Sequence, residues 1–459
     1  MKPEISDSTS FKPSALPRGD EDCSRGFVHP DGNRKLRVLL IAEAANPEWT
    51  SVPLVGWNLA SAIKRECDAV IVTQQRNREA FLRAGLVADR DFVCIDNEYI
   101  ARTLHLLAER LRGGSNKGWT VVTAMSSLSY YSFERQVWKI FKHRLKAGEF
   151  DLVHRITPLS PTSQSPIAGH LSKCCVPFII GPLNGGLPWP KGFTDVRAKE
   201  REWLSLLRRV YSFMPYYRST RSKAAALIAG SRHTLSEFPP HRMTRSFHIP
   251  ENGVDPANFP FSQRKLVDDN LRLAFVGRLV PYKGADIVIE AIARYLGRLK
   301  LDLVIVGDGP QRAGLESLVR ERGLSSSVRF AGWIEQKNLS ETLADRQLFV
   351  CPSIREFGGG VVVEAMALGL VPVVANYGGP PELLDKTSGL VVDFTDRESL
   401  IEAYSTTLVK IDKDRSMVER LSLGAGTRAR KYFTWAAKAE QVSQIYRSTL
   451  MERCQKKLY

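Results

Sequence analysis

Short apolar segments recur along the chain and alternate with amphipathic stretches. The first, LRVLLIAEA at residues 36–44, is an almost unbroken apolar run, which is typical of a strand buried on both faces of a sheet. Similar segments lie at 69–75, 119–125, 150–156, 176–182 and 225–231. Because helical stretches separate them, the alternation predicts a parallel β-sheet covered by helices.

A second series follows the segment 251–270, which is rich in Asn, Asp and Pro and has the composition of a linker. Its predicted strands lie at 271–278, 301–309, 328–333, 348–353, 370–376 and 389–394. The chain is therefore predicted to be an α/β protein with two Rossmann-like, doubly wound domains in tandem. Ligands of such sheets bind outside the carboxyl ends of the strands, so two facing sheets would enclose a central cleft.

Length and composition fit this organisation. The 459 residues allow two large domains, at roughly 100–200 residues per domain. We predict a disordered leader at 1–34, an N-terminal domain at 35–255, a C-terminal domain at 256–435 and a final helix at 436–459. The leader lacks the apolar middle of a secretory signal. The chain also contains no run of about 18 apolar residues, the length that a membrane-spanning helix needs.

The seven cysteines are scattered, with no CxxC pair and no zinc-binding spacing. Neither a disulfide framework nor a structural metal site is indicated, and a cytoplasmic location is expected. Two Asp-x-Asp triplets, at 89–91 and 412–414, lie in charged stretches, where solvated surface is the favoured interpretation.

The net charge of +16 indicates an anionic partner. The chain has no zinc finger, RNP-like aromatic motif or basic zipper, so nucleic acid is not expected. The stretch 201–225 mixes Trp, Leu and Tyr with several arginines. It is either a helix on an anionic membrane surface, near a lipid-linked acceptor, or a helix that covers the N-terminal sheet with its basic face in water.

One strand–loop–helix unit of the second half carries two cations. Arg278 and Lys283 lie in GRLVPYKG (277–284), and Gly284 opens the following helix. Free N–H groups and the helix dipole favour anions there, so the pair is a candidate site for a phosphate or diphosphate. The alternative is two ordinary surface cations.

Two carboxylates flank a glycine run, with seven residues between them. Glu356 lies in the loop after the strand at 348–353, and Glu364 lies in the next helix, for which Gly369 is a predicted C-terminal stop. One carboxylate can accept hydrogen bonds from hydroxyls at one end of a ligand, and the other can bind a diol at the far end. A nucleotide sugar is such a ligand. The alternative is an acid that only complements the helix dipole, worth about 0.3–1 kcal/mol.

The motifs of the second half, in their order and spacing, resemble those of the retaining GT-B glycosyltransferases of family 4, also called group 1. The resemblance covers roughly 250–450. The matching motifs are NGVD (252–255), GRLVPYKG (277–284), VGDGP (306–310), the two spaced glutamates, EAMALGLVPVVA (364–375) and GGPPELL (378–384).

The resemblance implies two Rossmann-like domains, a donor bound mainly by the C-terminal one and a last helix that returns to the N-terminal domain. Arg278 and Lys283 would hold the diphosphate, and Glu364 would hold the ribose hydroxyls. The remaining donor contacts that it implies come from Glu356, the backbone at Phe357 and Gly358, the loop at Gly307, and Ile334 beside the base.

The N-terminal half matches less of the family pattern. His154 lies at a predicted strand end, where it is either a group that reaches the donor sugar or a structural histidine. The pair Gly185 and Gly186 resembles part of the family and is a candidate for the acceptor side. Many members have a Gly-Gly loop after the first strand, but residues 42–57 contain only Gly56, so the resemblance carries no donor contact over to this loop.

The predicted reaction is transfer of a sugar from a nucleotide diphosphate sugar to a hydroxyl, with retention, without a metal or other cofactor. The expected acceptor is a saccharide or lipid-linked saccharide of cell-surface polysaccharide or glycolipid assembly. The expected location is cytoplasmic or peripheral on the inner face of the membrane.

The sequence leaves three alternatives. They are another GT-B enzyme such as a nucleotide-sugar epimerase or a phosphorylase-like protein, a non-catalytic nucleotide-sugar-binding protein, and a nicotinamide oxidoreductase. The last is disfavoured because GDGPQRAG lacks the G-x-G-x-x-G spacing.

Overall fold

The computed structural model describes residues 34–97, 119–194, 214–265, 268–294 and 300–458. The predicted disordered leader at 1–34, except Arg34, and much of the basic stretch 201–225 lie outside these ranges. None of the helices in the described ranges is both long enough and apolar enough to cross a membrane.

The first half forms a seven-stranded sheet in the order β3-β2-β1-β4-β5-β6-β7, and all of its pairings are parallel. The strands are β1 (Arg37–Ala42), β2 (Asp68–Gln74), β3 (Phe92–Ile95), β4 (Leu152–Thr157), β5 (Phe178–Leu183), β6 (Ala226–Ala229) and β7 (Ser246–His248). The α-helices described in this half are α1 (Val52–Glu66), α2 (Arg78–Arg83), α3 (Trp119–Lys146), α4 (Ile167–Lys173), α5 (Tyr217–Lys223) and α6 (Arg232–Ser236).

The second half forms a six-stranded parallel sheet in the order β10-β9-β8-β11-β12-β13. The strands are β8 (Leu271–Val276), β9 (Leu301–Val306), β10 (Val328–Gly332), β11 (Leu348–Cys351), β12 (Val371–Ala375) and β13 (Leu390–Val392). The α-helices described here are α7 (Ala285–Ala293), α8 (Arg312–Glu321), α9 (Gln336–Thr342), α10 (Gly360–Ala367), α11 (Arg397–Lys413), α12 (Ser416–Arg428) and α13 (Trp435–Leu458).

Both sheets are doubly wound, which confirms the predicted fold class. In β1, Leu40 packs in the same cluster as Val442 of α13, whereas Leu39 packs in the cluster of Phe133 of α3. Successive side chains of a strand point to opposite faces of the sheet. A strand covered by helices on both faces must therefore be apolar at every position, as the unbroken apolar run of β1 is.

The strand predicted at 119–125 is wrong, because these residues begin α3. A short apolar run rich in Val and Thr fits a strand and a buried helix equally well. The continuation decides the matter: Phe133, Val137 and Phe141 are all buried and lie four residues apart, on one face of the helix. The third strand is instead β3, which was missed, as was β7.

Two of the described chain segments that connect the sheets touch each other. The Val254 N–H donates to the Phe433 carbonyl at 2.8 Å, and the Trp435 N–H donates back to Val254 at 3.3 Å. Gly253 lies under the Trp435 ring, where an added Cβ would be 2.8 Å from ring carbons. We call these two touching segments, residues 252–254 and 433–435, the hinge. After the hinge, α13 packs against α1, which covers the first sheet.

The described cysteines differ in state. Cys175 is disulfide-bonded, a bond that the scattered spacing did not predict. The free thiols among the described residues are Cys67, Cys94, Cys174, Cys351 and Cys454.

Candidate active site

The loop after β8, residues 277–284, carries the two predicted cations and is called the cation loop. Lys283 ends a short 3₁₀ turn, and Gly284 then adopts a left-handed φ of 74° before α7 begins. A Cβ on Gly284 would lie 3.0 Å from the Pro352 carbonyl oxygen, so glycine allows this loop to approach the loop after β11. Arg278 is exposed, whereas Lys283 is half-buried.

Lys283 forms an ion pair with Glu356, which lies in the loop after β11. The strands β8 and β11 are neighbours where the strand order reverses, which is where open α/β sheets bind ligands. Burial lowers the pKa of Lys283, but the adjacent Glu356 carboxylate outweighs it and holds the pKa above its usual value. A pocket between the two loops is lined by both side chains and by Cys351, Ser353 and Gly360.

The glycine loop, residues 356–360, is held on both sides. Gly359 has a left-handed φ of 65° and leads into α10. Gly358 has no space for a side chain, because an added Cβ would lie 2.0 Å from Oε1 of Glu251. On the other side, the N–H of Gly379 donates to the Glu356 carbonyl at 3.0 Å. The first turn of α10 borders the pocket, and a helix start favours an anion through its dipole and its N–H groups.

Glu364 lies in the second turn of α10. Its Oε1 accepts a hydrogen bond of 2.5 Å from Nε2 of Gln336, the first residue of α9. Burial raises the pKa of the Glu364 carboxyl to about 7, and the hydrogen bond from Gln336 opposes that rise. Ile334, the predicted contact of the base, is half-buried two residues before Gln336. The predicted ribose and base positions thus lie in adjoining segments.

Gly307 has a packing role in this structure. An added Cβ would lie 2.0 Å from the carbonyl oxygen of Gly277, and the N–H of Gly307 donates to the Gly332 carbonyl at 2.7 Å. The loop after β9 therefore packs directly against the start of the cation loop. The predicted donor contact at Gly307 would need a group other than this N–H.

His154 lies in the middle of β4, so its predicted position at a strand end is wrong. Its ring is fully buried, with Nδ1 2.5 Å from the Tyr446 hydroxyl and Nε2 2.7 Å from the Gly181 carbonyl oxygen. Burial lowers the pKa of the imidazole to about 4, so the ring is neutral. Both ring nitrogens already have protein partners, and the structure does not bring His154 together with Lys283 and Glu356.

Gly185 and Gly186 follow β5 and both have positive φ, of 153° and 75°. They begin the cleft segment, residues 184–194, which leads from the first domain onto the second. At its far end Phe193 is buried in the core of the C-terminal domain, where its ring meets that of Phe394 edge-on at 5.6 Å. The predicted acceptor-side glycines therefore start a connection between the domains.

Trp189, in the same segment, lies close to the cation loop and the glycine loop. Its ring meets that of Tyr282 edge-on, with centroids 6.5 Å apart. The guanidinium of Arg355 lies 4.7 Å from the Trp189 ring centroid and 5.5 Å from that of Phe357. The side chains of Trp189, Tyr282, Arg355 and Phe357 therefore form a contiguous aromatic and cationic surface beside Glu356.

Two residues at this place were missed by sequence reasoning, Asn184 and Glu251. Nδ2 of Asn184 donates to both carboxylate oxygens of Glu251, at 2.7 and 2.8 Å, and to the Phe357 carbonyl at 3.1 Å. A signal was present, since Glu251 directly precedes the NGVD motif and Asn184 directly precedes the glycine pair.

The site combines a charged ammonium, two carboxylates and a helix start at one edge of the second sheet. Such a set can bind an anionic, polyhydroxylated ligand. Among the residues that the structure describes, no three His, Cys, Asp or Glu side chains are grouped to share a metal ion. The roles assigned above to single residues remain predictions.

Comparisons with known proteins agree with this architecture. A GDP-mannose-dependent monoacylated α-(1-6)-phosphatidylinositol monomannoside mannosyltransferase of Corynebacterium glutamicum is 29% identical over 252 residues, 52% of this chain and 62% of the relative. A D-inositol 3-phosphate glycosyltransferase of a Nocardioides species is 33% identical over 205 residues, 41% of this chain and 43% of the relative. The chain thus spans less than two thirds of either relative.

Among solved structures, Anabaena Alr3699/HepE in complex with UDP covers 90% of this chain and 100% of its own, with a TM-score of 0.58 and 17% identity. This likeness confirms the GT-B fold. Residues 258–422 match the sequence profile of the glycosyl transferases group 1. This part of the chain, about a third of its length, is therefore similar to the glycosyl transferases group 1 family.

Proposed function

We propose that the protein transfers a sugar from a nucleotide diphosphate sugar to a hydroxyl group. The observation that carries the proposal is the Lys283–Glu356 ion pair in the pocket between the cation loop and the glycine loop. In this pair each charge neutralises the other. A donor diphosphate would replace the carboxylate as the partner of Lys283 and leave Glu356 to accept hydrogen bonds from the sugar hydroxyls.

The leaving diphosphate develops negative charge as the bond to the sugar breaks. Lys283 and the exposed Arg278 would stabilise that charge, with the N–H groups at the start of α10 adding to it. Glu364 would hold the ribose hydroxyls in place of its present partner Gln336, and Ile334 would lie beside the base.

Retention at the anomeric carbon is inferred from the family resemblance. Glu356 and Glu364 act here as binding groups, and no nucleophile is assigned. We also propose that the protein requires no metal or other cofactor, because its own cations face the diphosphate. Full activity in the presence of EDTA would support this part, and loss of activity that Mg²⁺ restores would refute it.

The proposed acceptor is a saccharide or lipid-linked saccharide of a cell-surface polysaccharide or glycolipid, used at the inner face of the membrane. The net charge of +16 supports attraction to an anionic surface. The name of one relative also supports it, since that relative acts on a phosphatidylinositol monomannoside.

The first experiment is thermal stabilisation by UDP, GDP, ADP and their common sugar conjugates, with Glu364→Ala as the variant and exposed Glu321→Ala as the matched control. A ligand that binds only the folded state raises the melting temperature. We expect one nucleotide series to stabilise the wild type and the control, and to stabilise Glu364→Ala less. No stabilisation by any of them would contradict the proposal.

The reaction is then tested with that donor and a panel of saccharide and glycolipid acceptors. Release of free nucleoside diphosphate with formation of a glycosylated acceptor would support transfer. Conversion of the donor to its epimer without an acceptor would indicate an epimerase, and binding without any product would indicate a nucleotide-sugar-binding protein.

A further inference from the structure

Three separate parts of the chain meet at the carboxylate of Glu251. It lies just before the hinge, and its side chain is only 6% exposed. An added Cβ on Gly230, at the end of β6, would lie 2.4 Å from its Oε2, and one on Gly358 would lie 2.0 Å from its Oε1. The carboxylate therefore fills the space between a glycine of the first domain and a glycine of the donor-site loop.

Asn184 fixes this carboxylate from the first domain. Its Oδ1 accepts a hydrogen bond from the Ser231 hydroxyl at 2.9 Å, which sets the orientation of the amide. The Nδ2 group is then directed at Glu251 and at the Phe357 carbonyl. A single side chain of the first domain thus holds both the hinge carboxylate and the glycine loop.

The second passage of the chain supports the same place. Lys438 of α13 is buried, and its ammonium donates to the Pro250 carbonyl at 2.5 Å. It lies close enough to Glu251 for the two groups to interact electrostatically, while burial lowers the pKa of Lys438 to about 7 and raises that of Glu251. Both chain passages of the hinge therefore border Glu251.

We propose that Glu251 is a positioning residue, which together with Asn184 holds Phe357 and Gly358 so that Glu356 stays within reach of Lys283. The inference rests on the proposed function of that site. The relative arrangement of the two domains is then transmitted to the donor site, because Asn184 belongs to the first domain and the glycine loop to the second.

The expected effect is on turnover more than on nucleotide binding. In the described part of the chain no hydrogen bond or ion pair joins Glu251 to Lys283, Arg278 or Glu364, so we expect the dissociation constant of the nucleoside diphosphate to change less than about threefold. A displaced Glu356 would slow transfer, and misplacement by about 1 Å costs on the order of 100-fold. We expect kcat to fall about 10- to 100-fold in Glu251→Ala, with partial recovery in Glu251→Gln, which keeps the volume and one acceptor oxygen.

The experiment compares full-length wild type, Glu251→Ala, Glu251→Gln, Asn184→Ala and the double variant Glu251→Ala/Asn184→Ala, with exposed Glu321→Gln as the control. Three quantities are measured: kcat, nucleotide affinity, and hydrogen exchange of the peptide at 354–362 without ligand. If the two residues act through one contact, the double variant should lose about as much turnover as the stronger single variant.

Faster exchange at 354–362 in the Glu251 and Asn184 variants, with normal exchange in the control, supports the inference. Wild-type exchange in a folded Glu251→Ala, or turnover losses that add in the double variant, would overturn it. If wild-type protein transfers no sugar, the proposed function fails, but the exchange comparison still decides the positioning role. If Glu251→Ala does not fold, Glu251→Gln and Asn184→Ala give the same decision.

Discussion

Lys283 and Glu356 come from loops that lie 73 residues apart in the chain, yet they form an ion pair. The Glu356 carboxylate holds the pKa of the half-buried Lys283 above its usual value, so the ammonium stays charged. A diphosphate that displaces Glu356 meets a cation already in position, and such preorganised charge lowers the barrier without further reorganisation. The same reasoning applies less strongly to Arg278, which is exposed.

Replacing either cation is predicted to remove most transfer. We expect Arg278→Ala and Lys283→Ala to keep the fold and to lower the transfer rate by roughly 100- to 1000-fold each, the usual loss for one electrostatic contact to a developing charge. The measurement is the initial rate under saturating donor, with Arg320→Ala on the exposed face of α8 as the control. Wild-type rates in both folded variants would remove the site assignment.

Glu364 predicts a pH dependence of stability. Its pKa rises from 4.5 to about 7 through burial, so between these values the folded state keeps a proton that the unfolded state has lost. Stability contributed by this group therefore falls as the pH rises through that window and is not regained above it. Glu364→Gln cannot ionise, so we expect its melting temperature to gain on the wild type between pH 5 and pH 8.

The check is a series of melting curves from pH 5 to pH 8 for wild type, Glu364→Gln and the exposed Glu321→Gln. Only the difference for Glu364→Gln should grow with pH. A constant difference would mean that the carboxyl of Glu364 titrates near its ordinary pKa.

The glycine loop and α10 form the element on which the site depends. Gly369 ends α10 with a left-handed φ of 81°, and the N–H of Leu370 donates to the Ala365 carbonyl at 2.9 Å, a Schellman arrangement. This end of the helix was predictable from the sequence. The need for glycine at position 358, just before the helix, was not predictable, because it arises from the carboxylate of Glu251, which is distant in the chain.

Two glycine-to-alanine substitutions are predicted to act in opposite directions. In Gly358→Ala the new methyl group overlaps Glu251, which Asn184 prevents from moving away, so we expect a loss of about 1–3 kcal/mol in unfolding free energy. Gly314 lies in α8 with nothing within 4 Å of an added Cβ, so Gly314→Ala should gain roughly 0.5–1 kcal/mol. Denaturant unfolding measures both. An unchanged unfolding free energy in Gly358→Ala would show that the glycine loop accommodates the added methyl group at little cost.

At the scale of the whole molecule, the last described helix of the chain, α13, packs onto the first domain and completes it. Tyr446 of α13 reaches across to His154 in the middle of the first sheet, and the two residues are 292 positions apart in the chain. Because this contact is buried and lies outside the candidate site, it concerns stability and not binding.

Tyr446→Phe removes the hydroxyl and leaves Nδ1 of His154 without that partner. We expect the unfolding free energy to fall by about 1–3 kcal/mol, the cost of an unsatisfied buried polar group, while nucleotide affinity stays unchanged. Exposed Tyr432→Phe serves as the control. A loss of transfer without a loss of stability would instead return His154 to a role in the reaction.

The sequence by itself determined the alternation of strands and helices, the parallel sheets, the second-domain loops that carry Lys283 and Glu356, and the helix that carries Glu364. These features are local: a strand covered on both faces must be apolar throughout, and each loop follows its strand directly. At 119–125 the local pattern did not distinguish a helix from a strand, because a short apolar run rich in Val and Thr fits both.

Only the tertiary structure decided which residues of the first domain reach the site. Sequence reasoning selected His154, but the fold buries it against Tyr446 and brings Asn184 to Glu251, 67 residues away, and to Phe357, 173 residues away. No local propensity encodes such contacts, because they arise from the way two separately formed domains pack about their hinge.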